Sequence, residues 1–356
     1  MKARANGQLR KTVGVVLLGT IAFVPVAWAQ SLAGGGGQSG TPGLTSELEE
    51  QRTWAYSAPT IIMRARNTMT WLRSRSRFRT APLAMPDAPA ARAGITPVAE
   101  NTSGPLSHGW TFWNSTSLSR LRDRRPDWRK RGQSATVNLG LEKDVLENFT
   151  MGISGSFTYA SQDTLYNAGH TRSDSISFTP YISYTPLSWL NLSLTGGYVR
   201  NRERLRWQDS GIQFNGRRSS NGYVFAATLE AARWVSNLQL AARAGLSVNR
   251  DHWKSFTDNL GNKHAAFTDR LAEVTLEGGA YLWLDPVMPY VVLTYTYDLR
   301  KPRQESDRDD ITLTGGLAFY GSGPLEPLSL DLSGSVILGR KSQRNATAML
   351  GLRISF

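Results

Sequence analysis

The sequence contains no cysteine. Disulfides and thiolate metal sites are therefore excluded, and the composition suits a chain that crosses an oxidising compartment unfolded. Histidine is scarce: His108, His170, His252 and His264 are the whole complement, all in expected loops or at strand ends. They form no metal-binding spacing. Beyond residue 30 no apolar run approaches the ~20 residues that a transmembrane helix requires. A mean hydropathy of -0.33 likewise excludes a helical membrane protein. Phosphate-binding loops and carboxylate pairs in an acid–base setting are also missing. His170 near Ser173 is the closest approach to a nucleophile–base pair, and it lacks the serine two residues away on the apolar face that lipid acyl chemistry needs. We read the chain as no enzyme, with no cofactor and no metal.

What is present begins with an export signal. Lys2, Arg4, Arg10 and Lys11 precede a short apolar run at 13–24, and Ala27-Trp28-Ala29 offers the small residues that a signal peptidase reads. Residues 1–29 are expected to be a signal peptide cleaved before Gln30, so the protein is exported. Residues 30–108 form a linker and a possible pore-plugging segment. The stretch 30–43 is rich in Gly and Ser, and 81–107 carries Pro82, Pro86, Pro89, Pro97 and Pro105. Between them, 60–78 mixes Ile61, Ile62, Met69, Trp71 and Leu72 with Arg64, Arg66, Arg73, Arg75 and Arg77, as in an amphipathic basic helix.

From 109 to 356 apolar and small polar residues alternate with a period of two, the signature of β-strands with unlike faces. Leu190, Leu192, Leu194 and Tyr198 oppose Asn191, Ser193 and Thr195; Val291, Leu293, Tyr295 and Tyr297 oppose Thr294, Thr296 and Asp298. Twelve such segments follow one another, the first near 110–118. Their minor face holds mostly Ser, Thr, Gly and Asn, as a crowded hydrated lumen would, whereas a face in bulk water would fill with Lys, Glu and Arg. Short links (144–148, 185–189, 235–237, 285–289, 321–327) alternate with longer polar ones (120–133, 161–173, 201–220, 249–266, 300–309). Trp110, Trp113, Tyr159, Tyr184, Trp189, Tyr198, Trp207, Trp283, Tyr290 and Tyr297 stand where interfacial girdles are expected. The fold class is all-β: a 12-stranded antiparallel transmembrane β-barrel at 109–356, preceded by a short, partly helical segment.

The last strand ends on an apolar row of Leu350, Leu352, Ile354 and Phe356. That ending, with the strand number and size, resembles the translocator domain of autotransporters of Gram-negative outer membranes; the resemblance covers 109–356. It implies a barrel in the outer membrane whose terminal row is read by the barrel-assembly machinery. A helix before strand one would sit in the pore, and an upstream passenger would be carried to the surface. Two departures stand out. The passenger would be only the region 30–109, without β-helical repeats, and no Asn-Asn pair precedes the barrel, since Asn101 stands alone.

The expected lumen wall is acidic, with Glu142, Glu230, Glu273, Glu277, Asp298 and Asp331 against Arg243 and Arg353. A helix carrying Arg64 to Arg77 would find its counter-charges there. The outer loops are basic: Arg122, Arg124, Arg125, Arg129, Lys130 and Arg131 in the first, and Arg200, Arg202, Arg204, Arg206, Arg217 and Arg218 in the third. Expected partners are outer-membrane lipid and lipopolysaccharide, whose phosphates suit guanidinium groups, with periplasmic chaperones on the way and no nucleic acid. Two other functions fit the residues: a passive small-solute channel, cation-favouring because its lumen is acidic, and a surface adhesin acting through the basic loops.

Overall fold

The computed structural model describes residues 109–124, 129–146, 148–165, 167–209, 211–300, 308–321, 325, 327–338 and 343–355. The expected signal peptide, linker and basic helix, with Arg64, Arg66, Arg73, Arg75 and Arg77, lie outside the described residues, as do Arg125 and Phe356. The strands are β1 (Trp110–Asp123), β2 (Lys130–Leu146), β3 (Phe149–Thr164), β4 (Gly169–Leu187), β5 (Leu190–Asp209), β6 (Ile212–Val235) and β7 (Leu238–Trp253). A small hairpin of β8 (Phe256–Thr257) and β9 (Lys263–His264) follows. The set ends with β10 (Phe267–Leu282), β11 (Val287–Arg300), β12 (Asp309–Tyr320), β13 (Leu328–Ile337) and β14 (Gln343–Ser355). Each long strand pairs antiparallel with its neighbours in the chain, and β1 pairs with β14 from Thr111↔Ser355 to Asp123↔Gln343. Twelve strands thus close into a barrel with no free edge along that seam.

Burial is inverted relative to a water-soluble core. Leu194, Phe225, Leu293 and Ile176 are among the many large apolar side chains left exposed, while Ser220, Asn201, Ser247 and Thr150 are buried. The period-two alternation puts one set outside and the other inside. Inward hydroxyls join adjacent strands, as in Thr136–Thr158 (3.0 Å), Ser156–Ser177 (2.5 Å) and, across the closing seam, Ser119–Thr347 (2.8 Å). Buried polar groups are tolerated because they bond to one another.

The strands run further than the hydropathy contrast suggests. β1 continues to Asp123 rather than ending near 118, and β5 and β6 extend through most of the expected loop 201–220. Arg200, Arg202, Arg204 and Arg206 are therefore exposed strand residues that alternate with buried Asn201, Glu203 and Leu205. Outside the apolar belt both faces are polar, so alternation persists without a hydropathy signal. The connection between β7 and β10 remains long and contains the β8–β9 hairpin.

Candidate functional site

The inner wall is the candidate site. Glu142, Glu230, Glu273, Asp298 and Asp331 are all buried and face inward, and the Glu277 side chain is nearly so. The sequence reading missed Asp123, Glu203, Asp251, Asp269 and Asp310, which are inward and buried as well. Continuing the strand parity past the apolar belt would have found them. Lys130 is a correction: expected in a loop, it begins β2 in register with Asp123, on the inward parity of Ser134 and Thr136, and is buried. Arg218 is corrected likewise. The other described bases of the first expected loop are exposed: Arg122 is the penultimate residue of β1, Arg124 and Arg129 flank the strands, and Arg131 lies on β2.

Four networks organise the charges. Beside the closing seam, Trp113 Nε1 donates to Tyr181 Oη (3.0 Å), and Tyr181 Oη donates to Glu142 Oε2 (3.0 Å). Arg353 Nη2 donates to Glu142 Oε1 (3.4 Å), so one carboxylate links β2, β4 and β14. On the far wall Arg243 pairs with Glu230 (2.6 Å) and Glu277 (3.4 Å), and Thr294 Oγ1 donates to Glu277 (3.3 Å). Near the outer mouth Arg218 pairs with Glu203 at 2.7 Å, its guanidinium 4.5 Å from the Trp253 ring centroid. A cation over an indole, with its carboxylate beside it, is well stabilised away from water. At the short-turn end Tyr290 Oη donates to both oxygens of Asp331 (3.1 and 2.9 Å).

Trp113 and Tyr290 therefore correct the girdle expectation: both point into the barrel. The cause lies opposite them. Trp113 faces Gly140 across β1 and β2, Tyr181 faces Gly152 across β3 and β4, and Tyr290 faces Gly316 across β11 and β12. A Cβ on any of the three glycines would collide with the facing ring, so its absence lets each ring lie over the neighbouring strand. Tyr281, Met288, Tyr290, Val292 and Ala318 form an apolar cluster inside, with Trp234, Trp283 and Tyr320 packed against it at the same end.

At the opposite end the β5–β6 extension outruns β7, whose pairing to β6 stops at Ser220↔Trp253. The loop after β7 covers that edge. Lys254 N donates to Ser219 O (2.9 Å), Asn259 N donates to Asn215 O (3.0 Å), and Asn259 Oδ1 accepts from Asn215 N (2.6 Å). Phe256 stacks on His264 at 4.3 Å. Asp258 fixes the turn by accepting from the Leu260 and Asn262 amides, Asn262 Nδ2 and His264 Nε2. Burial alone would raise its carboxyl, but these hydrogen bonds prevail and hold it below the ordinary carboxylate value.

His170 and Ser173 do not meet. His170 is on the outer face with Asp163 at 2.6 Å and Arg172 Nε at 3.2 Å, whereas Ser173 is inward and buried. No cluster of three or more His, Cys, Asp or Glu suited to a metal occurs among the described residues. Leu350 is exposed on the outer face; Leu352 and Ile354, on the same row, are buried.

A family model for the autotransporter beta-domain matches residues 116–333. The chain belongs to the autotransporter beta-domain family. Solved structures of autotransporter barrels share the architecture, among them the following two. The translocator domain of the autotransporter NalP from Neisseria meningitidis has a TM-score of 0.60 and 15% identity, over 81% of this chain and 98% of that one. The beta domain of the Bordetella autotransporter Brka has a TM-score of 0.59 and 16% identity, over 70% of this chain and 100% of that one. At these identities the likeness is one of fold. No curated protein matches the chain. This autotransporter-type barrel is a Gram-negative outer-membrane protein, surrounded by lipid on its exposed apolar face. In such barrels the short turns face the periplasm and the longer connections face outward.

Proposed function

We propose that the barrel carries and is closed by its own N-terminal segment, with the basic helix expected at 60–78 lodged in the acidic lumen. The observation that carries this is the charge of the inner wall, where buried carboxylates outnumber Lys130, Arg218, Arg243 and Arg353 among the described residues. Ionised carboxylates held away from bulk water are costly unless cations accompany them. Arg64, Arg66, Arg73, Arg75 and Arg77 are cations of this chain close enough in sequence to serve. The inner aromatic cluster near the short turns offers a matching surface for Ile61, Ile62, Trp71 and Leu72. On this reading the signal peptide is removed before Gln30, periplasmic chaperones hold the chain, and the assembly machinery inserts it by the row Leu350, Leu352, Ile354 and Phe356. Display of the region 30–108, rather than enzymatic turnover, is the output.

Planar-bilayer recording tests the plug. Deletion of residues 30–107 is expected to turn a nearly closed barrel into a steadily conducting, cation-favouring pore. Equal conductance before and after deletion would remove the plug and leave the passive channel.

A further inference from the structure

The outward row of β5 is apolar through Leu192, Leu194 and Tyr198 and then becomes Arg200, Arg202, Arg204 and Arg206. The change occurs at the edge of the belt. Tyr198 meets Tyr223 edge-on at 5.8 Å and donates to Asn221 Oδ1 (2.8 Å), the amphipathic arrangement expected at a lipid–water boundary. Arg200, the next outward residue, is in register with Ile176 of β4. With about 3.3 Å per residue, Arg200 to Arg206 then covers roughly 20 Å along the strand, starting at the headgroup level.

The register brings like charges together. Arg204 is flanked by Arg172 on β4 and by Arg217 on β6. Like charges directly opposite on adjacent strands repel, so this arrangement calls for an anion between them. The neighbouring acids do not supply it. Asp163 is engaged by His170, and Asp258 is occupied by its own turn. Among the described residues no carboxylate lies within ion-pair distance of Arg204, Arg206 or Arg217; Asp174, in register with Arg202, stays beyond it too. Arg172, Arg204, Arg206 and Arg217 line an open pocket of about 760 Å³, bounded on one side by Thr257, Asp258 and Asn259 of the loop that covers the β6 edge.

We propose that Arg172, Arg204, Arg206 and Arg217 form a binding site for a phosphorylated glycolipid of the outer leaflet. Its phosphates bridge the guanidinium groups that face one another across β4, β5 and β6. Guanidinium forks match phosphate oxygens in pairs. The row continues the lipid-facing side of the barrel without a break, which favours a membrane-borne phosphate over a soluble polyanion reaching the loop tips. The site does not depend on whether the lumen is plugged.

The test uses the full-length protein in detergent micelles, titrated with diphosphoryl lipid A, monophosphoryl lipid A and heparin, with bound ligand read by native mass spectrometry. The wild type is expected to prefer the diphosphoryl form. The variant R172Q/R204Q/R206Q/R217Q should bind it at least about tenfold more weakly, as loss of several charge-assisted contacts implies. Retention of folding is checked by heat-dependent gel migration. If the quadruple variant does not fold, R204Q/R217Q decides, with a weakening of about threefold expected from the loss of two of the four guanidiniums. Binding by the folded variant within about twofold of wild type, a difference of only about 0.4 kcal/mol, would overturn the proposal. Heparin binding as tightly as diphosphoryl lipid A would replace the glycolipid with a soluble polyanion and overturn it as well.

Discussion

Replacement of Glu142 by Ala perturbs the brace inside the closing seam. Glu142 accepts from Tyr181 on β4 and from Arg353 on β14, and its side chain is only 3% exposed. Its removal leaves the Arg353 guanidinium, 13% exposed, without that partner. Breaking a buried pair from one side costs about 3–5 kcal/mol. The 3.4 Å separation and the partial exposure argue for the lower end. Tyr181 loses an acceptor but keeps the bond from Trp113, adding about 1 kcal/mol. The expected total is about 4 kcal/mol, read as a lowered urea midpoint in lipid vesicles, with tryptophan fluorescence as the probe. Arg353→Met combined with Glu142→Leu should recover part of the loss, because two apolar groups strand no charge. Destabilisation of Glu142→Ala below about 0.5 kcal/mol, the level of an ordinary surface change, would refute the brace.

Two further outcomes follow from local geometry. Gly316→Ala should cost about 1–3 kcal/mol, because the new methyl occupies the place of the Tyr290 ring and pulls its hydroxyl from Asp331; an unchanged urea midpoint would contradict that packing. Asp258 makes the outer loop acid-sensitive. A carboxyl whose folded value lies below its unfolded one stabilises fully above the unfolded value of about 3.9, and the contribution is lost as pH falls through the folded value. Hydrogen exchange at the Leu260 and Asn262 amides should therefore stay slow from neutral pH to about 4 and accelerate below it, relative to the intrinsic rates, with Asp258→Asn fast throughout.

Where the two strand faces differ in polarity, the sequence was legible. Leu190, Leu192 and Leu194 fall outside and Ser193 and Thr195 inside, as their alternation requires, and the six acids expected in the lumen all face inward. Legibility failed where the contrast vanishes. Arg200 to Arg206 alternate with Asn201, Glu203 and Leu205, a mostly polar run that composition assigns to a loop although β5 continues through it. Lys130 was hidden for the same reason. Trp113 and Tyr290 were misplaced because interfacial aromatics and ring-over-glycine packing use the same residues. Only the register, with Gly140 and Gly316 opposite, separates the two. The lumen networks join strands distant in the sequence, such as Glu142 and Arg353, and depend on closure of the barrel.

The central claim is that the apolar face of these strands touches lipid tails while the hydroxyl face lines an enclosed interior. Because the chain has no cysteine, single cysteines can be introduced at adjacent β5 positions, Leu194→Cys on the exposed row and Thr195→Cys on the buried one. Each is labelled with a fluorophore in vesicles whose acyl chains carry bromine. Strong quenching at 194 and little at 195 is the predicted result; equal quenching at both, or the reverse order, would contradict the account.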